Sequence, residues 1–68
     1  MEAEWVKVYE TGFPYEAEMI KGFLEENDIK SIVVNMQDSA YLIGEAELYV
    51  TTEDAFRAHQ LILEYKGE

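Results

Sequence analysis

His59 is the single histidine of this 68-residue chain, and the chain contains no cysteine. A catalytic histidine needs a hydroxyl to deprotonate and a carboxylate to orient its ring. Neither stands at a recognisable spacing from His59, so a packing or surface role is expected for it. The lack of cysteine removes a thiol nucleophile, a thiolate metal site and a disulfide framework together. Carboxylates are abundant, at fifteen Asp and Glu. The close pairs Glu16/Glu18, Glu25/Glu26 and Glu45/Glu47 are the candidates for acid–base work or for holding a hard cation. None of them follows a calcium-loop spacing, and there is no Asp-x-Asp-x-Asp-Gly run. Fifteen carboxylates in a chain this short fall close together by chance, and solvated acidic faces account for them. Gly12, Gly22, Gly44 and Gly67 are too dispersed to form a phosphate-cradling loop, and nucleophile-elbow and zinc-ligand patterns are missing. A ligand pocket of several hundred Å3 is also hard to carve from so small a monomer. The expectation is a protein without catalytic residues, metal or cofactor, and not an enzyme.

Charge narrows the partners further. Five Lys and Arg against the fifteen acids give a formal net charge of −10. Phosphate backbones and anionic lipid both demand clustered cations, so nucleic acid and membrane surfaces are unsuited to this chain. The acidic start Met-Glu-Ala-Glu is the opposite of a secretory signal, and the apolar runs, such as Ile32-Val33-Val34, are too short to span a bilayer. A cytoplasmic protein of prokaryotic style is expected, folded as one domain over residues 1–68. Apolar types make up 49% of the residues, but a chain of this length has a thin core and marginal stability, which a partner chain can supplement.

The elements follow from periodicity. Residues 4–10 (EWVKVYE) are aromatic and β-branched and end at Thr11-Gly12, which predicts a strand. Pro14 suits a first helical position, and Glu16 suits the positive end of a helix dipole and can reach back to the cap. A helix is predicted over residues 14–26, with Ala17, Met19, Ile20, Phe23 and Leu24 as its apolar stripe and Asn27-Asp28 as its stop. Residues 29–36 (IKSIVVNM) form the second strand, residues 37–45 (QDSAYLIGE) a long loop, and residues 46–51 (AELYVT) the third strand. Thr51 or Thr52 caps a second helix running to about residue 65. The order β-α-β-β-α and a right-handed crossover give an α+β fold: a ferredoxin-like half-sandwich, its three-stranded antiparallel sheet ordered 1-3-2, with both helices on one face. Its expected core is Val6, Val8, Ile32, Val34, Leu48 and Val50 against Ala17, Ile20, Leu24, Ala55, Ala58, Leu61 and Ile62.

Building that core leaves three surpluses. The helix-free sheet face should show Trp5, Tyr9, Val33 and Tyr49, with Lys7, Asn35 and Glu47 among them, and clustered exposed apolar surface commonly marks a contact. Large aromatics also simply favour strands and tolerate half exposure. Aromatics on such a sheet stack bases in RNA-recognition domains, but Glu47 and the overall charge oppose that use. On the second helix, Phe56 and Leu63 fall off the core stripe, so they either flank the core against the first helix or form a partner-binding edge. In the loop, Tyr41, Leu42 and Ile43 make either a lid on the core or a recognition finger. The leading expectation is a regulatory adaptor working through protein–protein contact, with a protein partner or a second copy as a homodimer. The alternative is a small-metabolite sensor binding between the sheet and the 37–45 loop.

Trp5-Val6-Lys7-Val8-Tyr9, Pro14-Tyr15-Glu16-Ala17-Glu18, Leu24-Glu25-Glu26-Asn27-Asp28-Ile29 and Glu47-Leu48-Tyr49-Val50, followed by Ala55, Ala58 and Leu61, together resemble a family of small prokaryotic domains. That family, of unknown function, is labelled "putative signal-transducing proteins" and compared in fold with the nitrogen-regulatory PII protein. The resemblance covers nearly the whole chain and rests on cap, turn and core positions. It implies a PII-like, ferredoxin-like domain in signal transduction and no demonstrated reaction. Two positions depart from the pattern: Phe13 stands where a capping Asn is usual, and Asp28 where Gly is usual. No nucleotide-binding loop is matched.

Overall fold

A computed structural model describes residues 4–38 and 43–67, those at 36–38 and 43–45 by backbone alone. The elements are β1 (Trp5–Thr11), α1 (Pro14–Glu26), β2 (Ser31–Asp38), β3 (Ile43–Thr51), a short 3-10 turn (Thr52–Asp54) and α2 (Ala55–Tyr65). The sheet is antiparallel in the order β1-β3-β2, and both helices pack on one of its faces, as expected. Ile20 and Leu24 of α1, Leu48 and Val50 of β3, Ala58 and Ile62 of α2, and Ile29 form the buried centre. β2 and β3 run further than predicted, so they absorb both ends of the expected 37–45 loop. No helix among the described residues is long and apolar enough to cross a membrane.

The entry into α1 is built without a side-chain cap. Phe13 occupies the cap position in extended backbone and offers no capping hydrogen bond. Thr11 supplies the missing acceptor, its Oγ1 taking the Phe13 N–H at 3.1 Å. Glu16 does not reach back to the cap as expected. Its carboxylate is drawn to the Thr11 and Tyr9 hydroxyls, at 2.7 and 3.0 Å. The start of α2 also departs from expectation: Thr51 Oγ1 donates to Asp54 Oδ2 at 3.3 Å, and the helix opens through the 3-10 turn.

The exit from α1 decides how β2 faces. Asp28 adopts φ 64°. Its N–H reaches the Glu25 carbonyl at 3.1 Å, and the Ile29 N–H reaches the Leu24 carbonyl at 3.0 Å. This paired closure is a Schellman motif, which normally brings the residue after the left-handed position onto the last turn. Ile29 and Leu24 accordingly both lie in the core. Counting by twos from Ile29, Ser31 and Val33 point inward and Ile32 and Val34 outward. The expected assignment of β2 is therefore inverted. Ser31 is buried, Val33 packs against the core, and Ile32 and Val34 are 40% and 41% exposed.

A β-bulge corrects β1 in the same way. Val6 pairs with Val50 and Lys7 with Tyr49, but Tyr9, not Val8, pairs with Leu48. The extra residue shifts the alternation by one, so that two residues of β1 oppose one of β3. Tyr9 joins the core side, while Glu10 comes to lie beside Glu47.

Asp28 offers a direct test of the closure. A left-handed non-glycine residue costs roughly 1–2 kcal/mol, less for Asp than for most, and a carboxylate past a helix C-terminus faces the negative end of its dipole. Both effects are relieved in Asp28→Gly, against the greater entropy of glycine. The variant is expected to gain about 0.5–1 kcal/mol, read from the midpoint of urea unfolding. A loss would show that the Asp28 side chain contributes to the turn.

Candidate functional site

Among the described residues, the helix-free face of the sheet is where the strands bring polar and apolar side chains together without cover. Pairing lays Lys7, Tyr49 and Ile32 in one row and Glu10, Glu47 and Val34 in the next, with Trp5 beside Thr51. Lys7 Nζ lies 3.4 Å from Glu47 Oε2 and 3.6 Å from Glu10 Oε1. Tyr49 donates its hydroxyl to Glu47 Oε1 at 2.7 Å. Around this cluster stand Trp5, Ile32 and Val34, each about two-fifths exposed.

The proton affinities of Glu47, Tyr49 and Lys7 move away from neutrality. The Tyr49 hydroxyl, and behind it Lys7, hold the Glu47 carboxyl below its usual range. The same hydrogen bond raises Tyr49 above that of an ordinary phenol. Glu10 first and then Glu47 raise Lys7. Near neutral pH these three groups are a fixed anion, a neutral donor and a fixed cation. A general acid or base works best with its affinity near the working pH, and these shifts lead in the opposite direction.

Of the residues expected on this face, Trp5 and Tyr49 lie there together with Lys7 and Glu47. Tyr9 and Val33 do not, for the reasons of bulge and turn given above, and Ile32, Val34 and Glu10 take their place. Asn35 falls on the Val33 side of β2 by alternation. Tyr41 and Leu42 lie outside the described residues, and Ile43 is placed only as the first backbone position of β3. The expected lid or ligand pocket at the 37–45 loop thus falls largely outside the described residues. Among the described residues Phe56 is the most exposed of the large apolar side chains, at 75%, and Leu63 is half-buried without joining the core cluster.

A second cluster went unrecognised in the sequence because it joins three elements. Glu16 accepts the Thr11 and Tyr9 hydroxyls and pairs with Lys66 Nζ at 3.6 Å. Lys66 also donates to the Tyr9 hydroxyl and stands 5.0 Å from the centre of its ring. The Thr11 hydroxyl, ahead of Tyr9 and Lys66, holds Glu16 below its ordinary value, and the Tyr9 hydroxyl raises Lys66. This cluster lies on the helix side, where it ties β1 and α1 to the end of α2. His59 is exposed on α2. Among the described residues no group of three His, Cys, Asp or Glu could hold a metal ion.

The chain matches no curated protein and no solved structure. A family model does match, over residues 5–66. That span runs from the first residue of β1 to the residue just past α2, so it takes in every element and both clusters. Its extent shows that the chain belongs to the family described as "putative prokaryotic signal transducing protein".

Proposed function

We propose that the chain is a non-enzymatic adaptor in signal transduction, self-associating and acting through protein–protein contact, with the helix-free sheet face receiving another protein. One observation carries this reading. In a chain of net charge −10, this face sets Trp5, Ile32 and Val34 around one cation and two carboxylates, each already paired. Protein contacts favour such a composition: an aromatic and aliphatic centre with charges partnered instead of bare. The family's description as signal transducing fits a module whose output is contact.

A photo-crosslinking phenylalanine analogue in place of Ile32 tests the face in the native host. A discrete protein adduct is expected from position 32, and none from position 18 on the outer side of α1. Competing the adduct away should require the unlabelled chain, and the Val34→Glu form of that chain should compete poorly. Equal adducts from both positions, or none from position 32, would overturn the assignment of this face.

A further inference from the structure

β1 and β2 are the edge strands of the sheet, and the helices above them differ. α1 lies over β2 and β3, α2 over β1 and β3. Phe23 packs on Tyr65 with ring centres 5.1 Å apart, and Glu16 pairs with Lys66, so these residues mark the sides on which the two helices face each other. The other flank of α1, above the β2 edge, carries Glu18, Lys21 and Glu25, the last two as an ion pair of 2.9 Å. By helical spacing from the buried Ala58 and Ile62, the other flank of α2, above the β1 edge, carries Phe56, His59 and Leu63, while Gln60 and Glu64 face outward. This flank holds no carboxylate, in a chain that has fifteen, and it displays the most exposed large apolar side chain among the described residues.

We propose that a second copy of the chain docks on the β1 edge. β1 pairs antiparallel with its counterpart about a two-fold axis, and the Phe56–Leu63 flanks of the two α2 helices pack together above the joint. The inference rests on the self-association in the reading above and names the surface that serves it. Spacing supports the arrangement. Strands in a sheet lie about 4.8 Å apart. Because α2 rests between β1 and β3, its symmetry mate stands about two strand spacings away, near 10 Å, where packed helices are found at about 8–10 Å. Charge supports it too. β1 carries Lys7 and Glu10 on one face, and antiparallel pairing centred between Val8 and Tyr9 sets Lys7 of one protomer alongside Glu10 of the other. Two chains of net charge −10 repel, and this edge lets them meet through a self-complementary strand and a helix flank without carboxylates. The bulge at Val8 twists the edge, which disfavours a generic strand, whereas an identical bulged strand carries the same twist. In β-α-β-β-α-β folds a fourth strand fills the slot beside the first strand and under the second helix; here the partner's β1 fills it. The dimer also sets two helix-free faces side by side in one continuous sheet.

Sedimentation equilibrium of the full chain across a concentration series tests this with two double variants. Wild type should form a reversible dimer. Phe56→Glu with Leu63→Glu should weaken it at least about tenfold, since two carboxylates from each protomer would be buried unpaired. Ile32→Glu with Val34→Glu should dimerise like wild type. Far-UV circular dichroism checks folding, and Phe56→Glu alone, at a position three-quarters exposed, serves if the double variant does not fold. Unchanged dimerisation in the folded Phe56 variant overturns the β1-edge joint, and loss of the dimer only in the Ile32/Val34 variant moves self-association to the open face. A monomeric wild type at millimolar concentration overturns self-association itself, leaving the open-face contact to the crosslinking result.

Discussion

Leu48→Ala is expected to lower unfolding stability by about 2–5 kcal/mol, the range for removing a leucine side chain from a packed core. Leu48 is the centre of the molecule in both directions. Across the sheet it stands between Tyr9 of β1 and Val33 of β2. Through the layers it belongs to the cluster of Ile20, Leu24 and Ile62, with no exposed surface. Single domains hold about 0.05–0.15 kcal/mol per residue, which for this length is about 3–10 kcal/mol in all. The substitution therefore removes a large share of the total, and at the upper end the cooperative transition disappears. Urea unfolding followed by circular dichroism reads the result. Val34→Ala on the neighbouring strand is the matched control. Val34 is two-fifths exposed on the opposite face, and its loss should stay within about 1 kcal/mol. Equal losses for the two substitutions would mean that β2 faces the other way and that the core has been misplaced.

That comparison rests on the part of the fold the sequence leaves ambiguous. Pro14, the Asn27-Asp28 stop and the apolar stripes place the helices closely, because a helix period is repeated over several turns and each repeat restates the same face. The strand order follows from the chirality of one crossover. Facing within the strands is another matter, since a shift of one residue inverts it. Ile32-Val33-Val34 puts two apolar residues on the outer face of β2 and one on the inner, and Ser31 advertises the inner side as polar, so both signals point the wrong way. What decides is Ile29, drawn onto Leu24 by the left-handed turn at Asp28. The Leu24–Ile29 spacing around Asn27-Asp28 was the available signal, and counting the alternation from Ile29 would have placed Ile32 and Val34 outside. The bulge at Val8 has no comparable sign, because Trp5 to Tyr9 alternates without a break. Trp5 and Tyr49 were therefore legible as members of the open face, Phe56 was legible only as a position off the core stripe of α2, and Tyr9 was not legible as a core-side residue.

Thr11→Val is expected to cost about 1–3 kcal/mol at neutral pH, the penalty for stranding a buried polar group and its partners, and the cost should shrink in acid. Thr11 is nearly buried and its hydroxyl works twice, accepting the Phe13 N–H and donating to Glu16. Its donation is the leading cause that holds Glu16 below the ordinary carboxylate value, ahead of Tyr9 and Lys66 and against the effect of burial. A carboxylate whose proton affinity is depressed by folding stabilises the fold above its unfolded pKa, and this contribution is lost as pH falls through the folded value. Wild type should therefore lose stability as the solution is acidified through and below the normal glutamate range. Valine removes the principal cause of the depression, so the variant has less of this contribution to lose, and the gap between the two proteins narrows in acid. It does not close, because the Phe13 N–H lacks its acceptor at every pH. Urea unfolding of both proteins at neutral pH and at pH well below the glutamate range measures the gap directly. Glu16→Gln, which keeps the shape and abolishes the charge, should show the shallower acid dependence as well. A gap of equal size at both pH values would mean that Thr11 acts through the Phe13 amide alone. The Glu16–Lys66 pair would then contribute no more than exposed ion pairs usually do, and the tie between β1, α1 and the end of α2 would be a matter of the Tyr9 ring and its packing.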